Sequence, residues 1–127
     1  MKFREKILDS GAKLLLGKDE SSNDELVNDF KGKSNIILHT VAPGSPFGVI
    51  VFDVKSGKPT KNEIYEASVF VAKYSQDWRD NKEDVIVSVF NGISVTKPKG
   101  AKPGLWKINS GKASQIKIKK KDILKIK

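Results

Sequence analysis

Hydrophobic and polar positions alternate at both ends of the chain and turn helical twice in between. Residues 2 to 8 and 12 to 17 read as two strands around a turn at Asp9, Ser10 and Gly11, with LLLG reading as a strand buried on both faces. In KDESSNDELVNDFKGK, Ser22 and Glu25 have capping-box spacing, Leu26, Val27 and Phe30 form one apolar stripe, and Gly32 is placed to stop the helix. The pattern predicts a short helix of about nine residues packed by one face. Asn35 to Thr40 and Phe47 to Val54 then read as strands, joined by VAPGSP, a turn shaped by proline and glycine.

After an exposed KSGKPT loop, Thr60 and Glu63 form a second capping box ahead of the longest helix. Ile64, Ala67, Val71, Tyr74 and Trp78 recur there at steps of three and four, with Phe70 beside them, which lays a wide apolar face on a sheet. VIVSVF and ISVTK flank Asn91 and Gly92, so a two-residue hairpin is expected, with Phe90 opposite Ile93 and Ser88 opposite Val95. Leu105 to Asn109 and Gln115 to Lys119 read as two last strands around Ser110 and Gly111. Residues 120 to 127, KKKDILKIK from Lys119 onward, fit a strand, a helical turn or a frayed basic tail. No repeat or linker interrupts the pattern, and hairpin-length connections dominate. The expected fold is one α+β domain over residues 1–127, with a mainly antiparallel (mixed) sheet of about six to eight short strands covered by one short and one long helix.

Charge changes this picture more than composition does. The formal net charge is +9, and residues 97 to 127 alone hold eleven lysines and one acid, Asp122. The excess charge therefore lies in the last quarter, which favours a polyanionic partner over lysine spread for solubility. The chain has no cysteine and one histidine, so thiolate and multi-histidine metal sites are excluded. Its apolar runs fall far short of the ~20 residues of a membrane span, and its start is too polar for a secretion signal. The expectation is a soluble cytoplasmic protein that binds no cofactor and no membrane.

Enzymatic motifs are weak. PGSPFG around Ser45 is not a nucleophile elbow, and only His39 is available as its base. Asp19, Glu20, Asp24 and Glu25 are explained by the macrodipole of a helix start. KPKGAKPG does not match a phosphate-binding GxxxxGK[ST] loop. A binding surface remains. Lys97, Lys99 and Lys102 lie on a backbone constrained by Pro98, Gly100, Pro103 and Gly104, a geometry suited to phosphate, with Lys107 just beyond. Trp106 either stacks on a base or belongs to the core. Period-two alternation sets Lys117, Lys119 and Lys121 on one face of a last strand, as a lysine ridge or as an edge protected from aggregation.

The segments GKDESSND (Gly17 to Asp24), HTVAPGSPFGVI (His39 to Ile50), IYEASVFVAKYSQDW (Ile64 to Trp78) and VTKPKGAKPGLW (Val95 to Trp106) resemble, in order and spacing, the motifs of the NFACT-R domain, formerly DUF814. The resemblance covers most of the chain and implies an RNA-binding domain. Large NFACT proteins act in ribosome-associated quality control, where they bind the large ribosomal subunit and tRNA, and the resemblance implies a stand-alone member. Positions that carry over are Gly17, Asn23, His39, Pro43, Gly44, Ser45, Ala67, Ser75, Lys97, Lys99, Gly100 and Gly104. Among them the glycines and Pro43 are backbone positions, while Asn23, His39, Ser45, Lys97 and Lys99 are polar groups able to face a ligand. Val41 and Pro46 stand where the family often has polar residues, so that part of the surface is altered. The tripeptide Asp77, Trp78, Arg79 matches a motif of another NFACT domain, but its context is the long helix, so that role does not transfer.

The expected function is therefore non-enzymatic contact with tRNA or ribosomal RNA, linked to translation or ribosome quality control, through Lys97, Lys99, Lys102, Lys107, Lys117, Lys119 and Lys121 together with His39, Ser45 and Asn23. Two alternatives remain: an enzyme or accessory subunit of tRNA modification with a pocket near His39 and Ser45, and an adaptor that binds DNA or an acidic protein.

Overall fold

Among the described residues, eight strands and four helices form in the order β1 (Arg4–Ile7), β2 (Lys13–Leu16), α1 (Glu20–Phe30), β3 (Ile36–Thr40), β4 (Gly48–Val51), α2 (Lys61–Lys73), α3 (Gln76–Asn81), β5 (Val85–Asn91), β6 (Val95–Thr96), β7 (Lys107–Ile108), β8 (Ser114–Ile118) and α4 (Lys120–Leu124). The coordinates are a computed structural model, and the structure describes residues 2–51, 58–101, 106–109, 111 and 113–126. The main sheet has six strands in the order β1-β2-β4-β3-β5-β8, and every pairing in it is antiparallel. The α+β expectation is met, with no parallel pair among the described residues. Strands β6 and β7 form a separate two-stranded sheet.

Alternation along the strands divides the core in two. Leu14, Leu16, Leu38, Ile50, Val85, Val87 and Ile118 point to one face, where Ala67, Val71 and Ala72 of α2 pack on them. Leu15, Ile37, Val49 and Phe90 point to the other face, which carries Leu26 and Val27 of α1 and Val95 of the small sheet. The two predicted helices thus lie on opposite faces. No described helix is long and apolar enough to cross a membrane.

The capping box at Thr60 and Glu63 forms as expected. Near the first helix the register shifts: Asp19 is the N-cap and Ser22 its reciprocal partner, so the helix begins earlier than Ser22 implied. The long helix is really two. It stops at Lys73, and Ser75 caps α3 by accepting from the Trp78 N–H. Trp78 still completes the apolar face, buried to 3% exposure.

The Asn91–Gly92 hairpin does not form. Asn91 ends β5 and its side chain caps a 3-10 turn over Gly92–Ser94, after which β6 leaves to pair with β7. Gly92 serves a close approach instead: a Cβ there would overlap the backbone carbonyls of Phe30 and Lys33. Gly32 N–H donates to Gly92 O at 2.8 Å, and Gly92 N–H donates to Asn35 O at 3.2 Å, stitching the end of α1 to the exit of β5. The last two predicted strands likewise do not pair with each other. The first runs as β7 beside β6, and β8 adds to β5 with Val85 opposite Ile118.

Of the three readings of the C-terminal end, the structure takes the helical turn. Ile123 of α4 is fully buried, and the Tyr65 hydroxyl donates to Asp122 while accepting from the Lys119 N–H. Hydrogen bonding to Tyr65 holds the Asp122 carboxyl below its ordinary range.

Candidate nucleic-acid interface

The predicted lysines are shared between two sheets. Lys97, Lys99 and Lys107 lie on and beside the small sheet, Lys117 and Lys119 belong to the β8 edge and the entry to α4, and Lys121 is in α4 itself. The three-lysine ridge is therefore interrupted. The extended backbone runs through Lys119, the N-cap of α4, and the helix then takes Lys121 off the strand alternation. Lys99, Lys107, Lys117, Lys119 and Lys121 are exposed. Lys102 and Gly104 lie outside the described residues, while Gly100 takes a left-handed φ of +75° in the turn after Pro98.

Lys97 differs from its neighbours. Its ammonium pairs with Asp24 of α1 and sits 4.9 Å from the centre of the Trp106 ring, with the pair about a quarter to a third exposed. Trp106 packs against the α1-side core, and its indole N–H is buried with no acceptor among the described residues. Part of the acidic cluster is thereby explained: Asp19 caps the helix, Glu20 lies in its first turn, Asp24 holds Lys97, and Glu25 pairs with Lys2 at 2.8 Å. Sequence reasoning assigned all four acids to the helix start, because a partner more than seventy residues away leaves no local signal.

His39 lies on the α1-side face of the sheet. Its ring stacks on Phe47 at 4.2 Å between centroids, and burial lowers its pKa below 6.5, with backbone hydrogen bonding at Thr40 and Ser45 acting the other way. Across the sheet His39 stands beside Ser88, which stands beside Gln115, and Lys117 follows on the same face opposite Ile86. His39, Ser88 and Ile86 are half-buried while Gln115 and Lys117 are exposed, so this end of the face is partly open.

Ser45 is engaged inward. Its hydroxyl accepts from the Thr40 N–H at 3.1 Å and donates to Pro46 O at 3.1 Å, which closes the β3–β4 loop. A hydroxyl spent on two backbone groups is not poised as a nucleophile. Asn23 acts similarly, its Oδ1 accepting from the Phe47 N–H at 3.0 Å while its side chain lies so close over Gly17 that a Cβ there would overlap it. Gly44, at φ +89°, is covered by the side chain of Gln76, and the Gln76 backbone N–H donates to Gly44 O at 2.8 Å. Pro43 is exposed on the same loop, and Ala67 is buried beneath α2.

Gly17, Asn23, Gly44 and Ser45 thus meet in one cleft of about 450 Å³, which Arg4, Lys18, Tyr74 and Arg79 also line. Arg4 and Gln76 have no local sequence signal that marks them. They reach the cleft only because the β2–α1, β3–β4 and α2–α3 connections fall at the same end of the sheet.

No curated protein sequence matches the chain. Among solved structures it is similar to the C-terminal part of the fibronectin/fibrinogen-binding protein from Streptococcus suis, with a TM-score of 0.81 and 22% identity. That likeness covers all of this chain and 49% of the other, so the chain spans about half the length of that relative and shares its fold. Residues 2–110 match the family model described as the NFACT protein RNA binding domain, with the glycine contacts at Gly17 and Gly44 inside the matched segment. The chain belongs to the NFACT-R family.

Proposed function

We propose that this chain is a non-enzymatic RNA-binding domain that contacts tRNA or ribosomal RNA through backbone phosphates and serves translation or ribosome quality control in the cytoplasm. The observation that carries the reading is the match of residues 2–110 to a family of RNA-binding domains. Exposed Lys99, Lys107, Lys117 and Lys119, with the partly open face of His39, Ser88 and Gln115, form the contact surface. Lys97 has a structural share in this surface, because Asp24 already neutralises it. Single lysines on exposed backbone bind as point charges, so the mode is sequence-tolerant and salt-sensitive.

A competition experiment tests the ligand class. Labelled tRNA bound to the protein should be displaced by unlabelled tRNA at lower concentration than by duplex DNA, and not by an acidic protein. Preferential displacement by the acidic protein or by duplex DNA would contradict the reading.

A further inference from the structure

We propose that the cleft at the end of the sheet, between the start of α1, the β3–β4 loop and α3, binds a phosphodiester group, with the Arg4 guanidinium as its anchor. The source of that group, an RNA backbone, rests on the functional reading above; the chemistry of the cleft does not.

Arg4 is on β1, the edge strand, opposite Leu16, and is half-buried. Its guanidinium carbon lies 4.1 Å from the centre of the Tyr74 ring. Stacking fixes the plane of the fork and leaves its N–H edges available, the geometry that matches phosphate oxygens in pairs. Arg4 makes no ion pair among the described residues, although Asp19 and Glu20 line the same cleft. The Asp19 carboxylate is committed to the Ser22 N–H, and hydrogen bonding there keeps it ionised.

Two side-chain amides, those of Asn23 and Gln76, also line the cleft. With Asn23 Oδ1 occupied by the Phe47 N–H, the opposite corner of that amide is its NH2 group, which has no acceptor among the described residues. The Gln76 side chain is held over Gly44 and likewise makes no hydrogen bond among the described residues. Ser45 contributes nothing outward, since its hydroxyl is used within the loop. The cleft therefore combines a stacked guanidinium with amide donors, and its charges are Arg4, Lys18 and Arg79 against Asp19 and Glu20. Arg79 is itself paired with Asp80 at 2.8 Å, outside the lining. With Arg79 paired, the charges around the cleft come close to cancelling, so a ligand made of acceptors and carrying one negative charge meets less repulsion from Asp19 and Glu20 than a dianionic phosphomonoester would.

The test is amide and arginine side-chain NMR on the 127-residue chain. One arm uses a single-stranded RNA tetranucleotide without terminal phosphates, whose only phosphates are diesters, and the other uses inorganic phosphate. The RNA should shift the amides of residues 18–23, 44–47 and 76 and the Arg4 Nε signal, saturably. Arg4→Gln should weaken binding read at these signals about tenfold, the loss expected for a charge-assisted pair of hydrogen bonds. Arg4→Lys should recover only part of it, because the fork is lost. Gln76→Ala, a change on an exposed side chain that leaves the core intact, should weaken it about threefold and serves if Arg4→Gln does not fold. Inorganic phosphate should shift the same signals more weakly than the RNA. RNA shifts confined to residues 97–101, 106–109 and 114–119 would overturn the cleft and leave the RNA reading standing. If RNA shifts nothing, the RNA reading fails, and the cleft stands only if inorganic phosphate still moves its signals and Arg4→Gln abolishes that movement. Shifts unaltered by both Arg4→Gln and Gln76→Ala would also overturn it.

Discussion

Gly92 and His39 show what single residues do in this fold. At Gly92 the side chain is missing because the backbone of α1's end passes where a Cβ would stand, so the residue works through a contact some sixty positions away. His39 works through burial. It is the only histidine in the chain, and its pKa is lowered from 6.5 mainly by desolvation. Well above pH 6.5 the ring is neutral in both folded and unfolded chains and the stability is independent of it. As pH falls below 6.5 the unfolded chain takes up the proton first, so stability should decline toward the lower folded-state pKa. His39→Phe, which keeps an aromatic ring against Phe47, should remove that slope in urea titrations between pH 7 and 5.5. An unchanged slope would place the proton uptake elsewhere.

Among the elements, those with local causes were legible. The capping box at Thr60, the β1–β2 hairpin and strand β3 follow from residues within a few positions of one another. Asn91–Gly92 misled because turn chemistry and close packing ask for the same glycine, and the deciding contact with Phe30 is tertiary. The break between α2 and α3 comes from Ser75, whose hydroxyl caps the Trp78 N–H while donating to Ala72 O at 2.7 Å, so apolar periodicity ran on through a change of helix. The cleft was half legible: Asn23, Ser45 and their glycines stood out in the sequence, but Arg4 and Gln76 arrive by topology.

At this scale α4 offers a test. Its place depends on Ile123 in the core and on the Tyr65 hydroxyl bridging Lys119 and Asp122. Tyr65→Phe removes the bridge and leaves the core, and should cost about 1 kcal/mol. Hydrogen exchange should speed up at the amides of Asp122, Ile123, Lys125 and Ile126, all bonded within this turn, while the α2 amides stay protected. Equal acceleration in both helices would mean that α4 opens only when the whole domain does.

For the whole molecule, the segregated charge and the three-layer fold belong together. The core is supplied by residues up to Phe90, Val95, Ile118 and Ile123, so the last quarter adds an edge strand and a short helix while leaving most of its described lysines in solvent. Lysines placed this way can engage phosphates without disturbing the fold. The most direct measurement is the affinity for tRNA across a range of salt concentrations, for the wild type and for the Lys99→Ala/Lys107→Ala/Lys117→Ala/Lys119→Ala variant. The account predicts weaker binding and a log–log salt slope smaller by about 0.7–0.9 for each lysine that contacts a phosphate, with an unchanged thermal midpoint. A variant that binds tRNA with wild-type affinity and slope would contradict it.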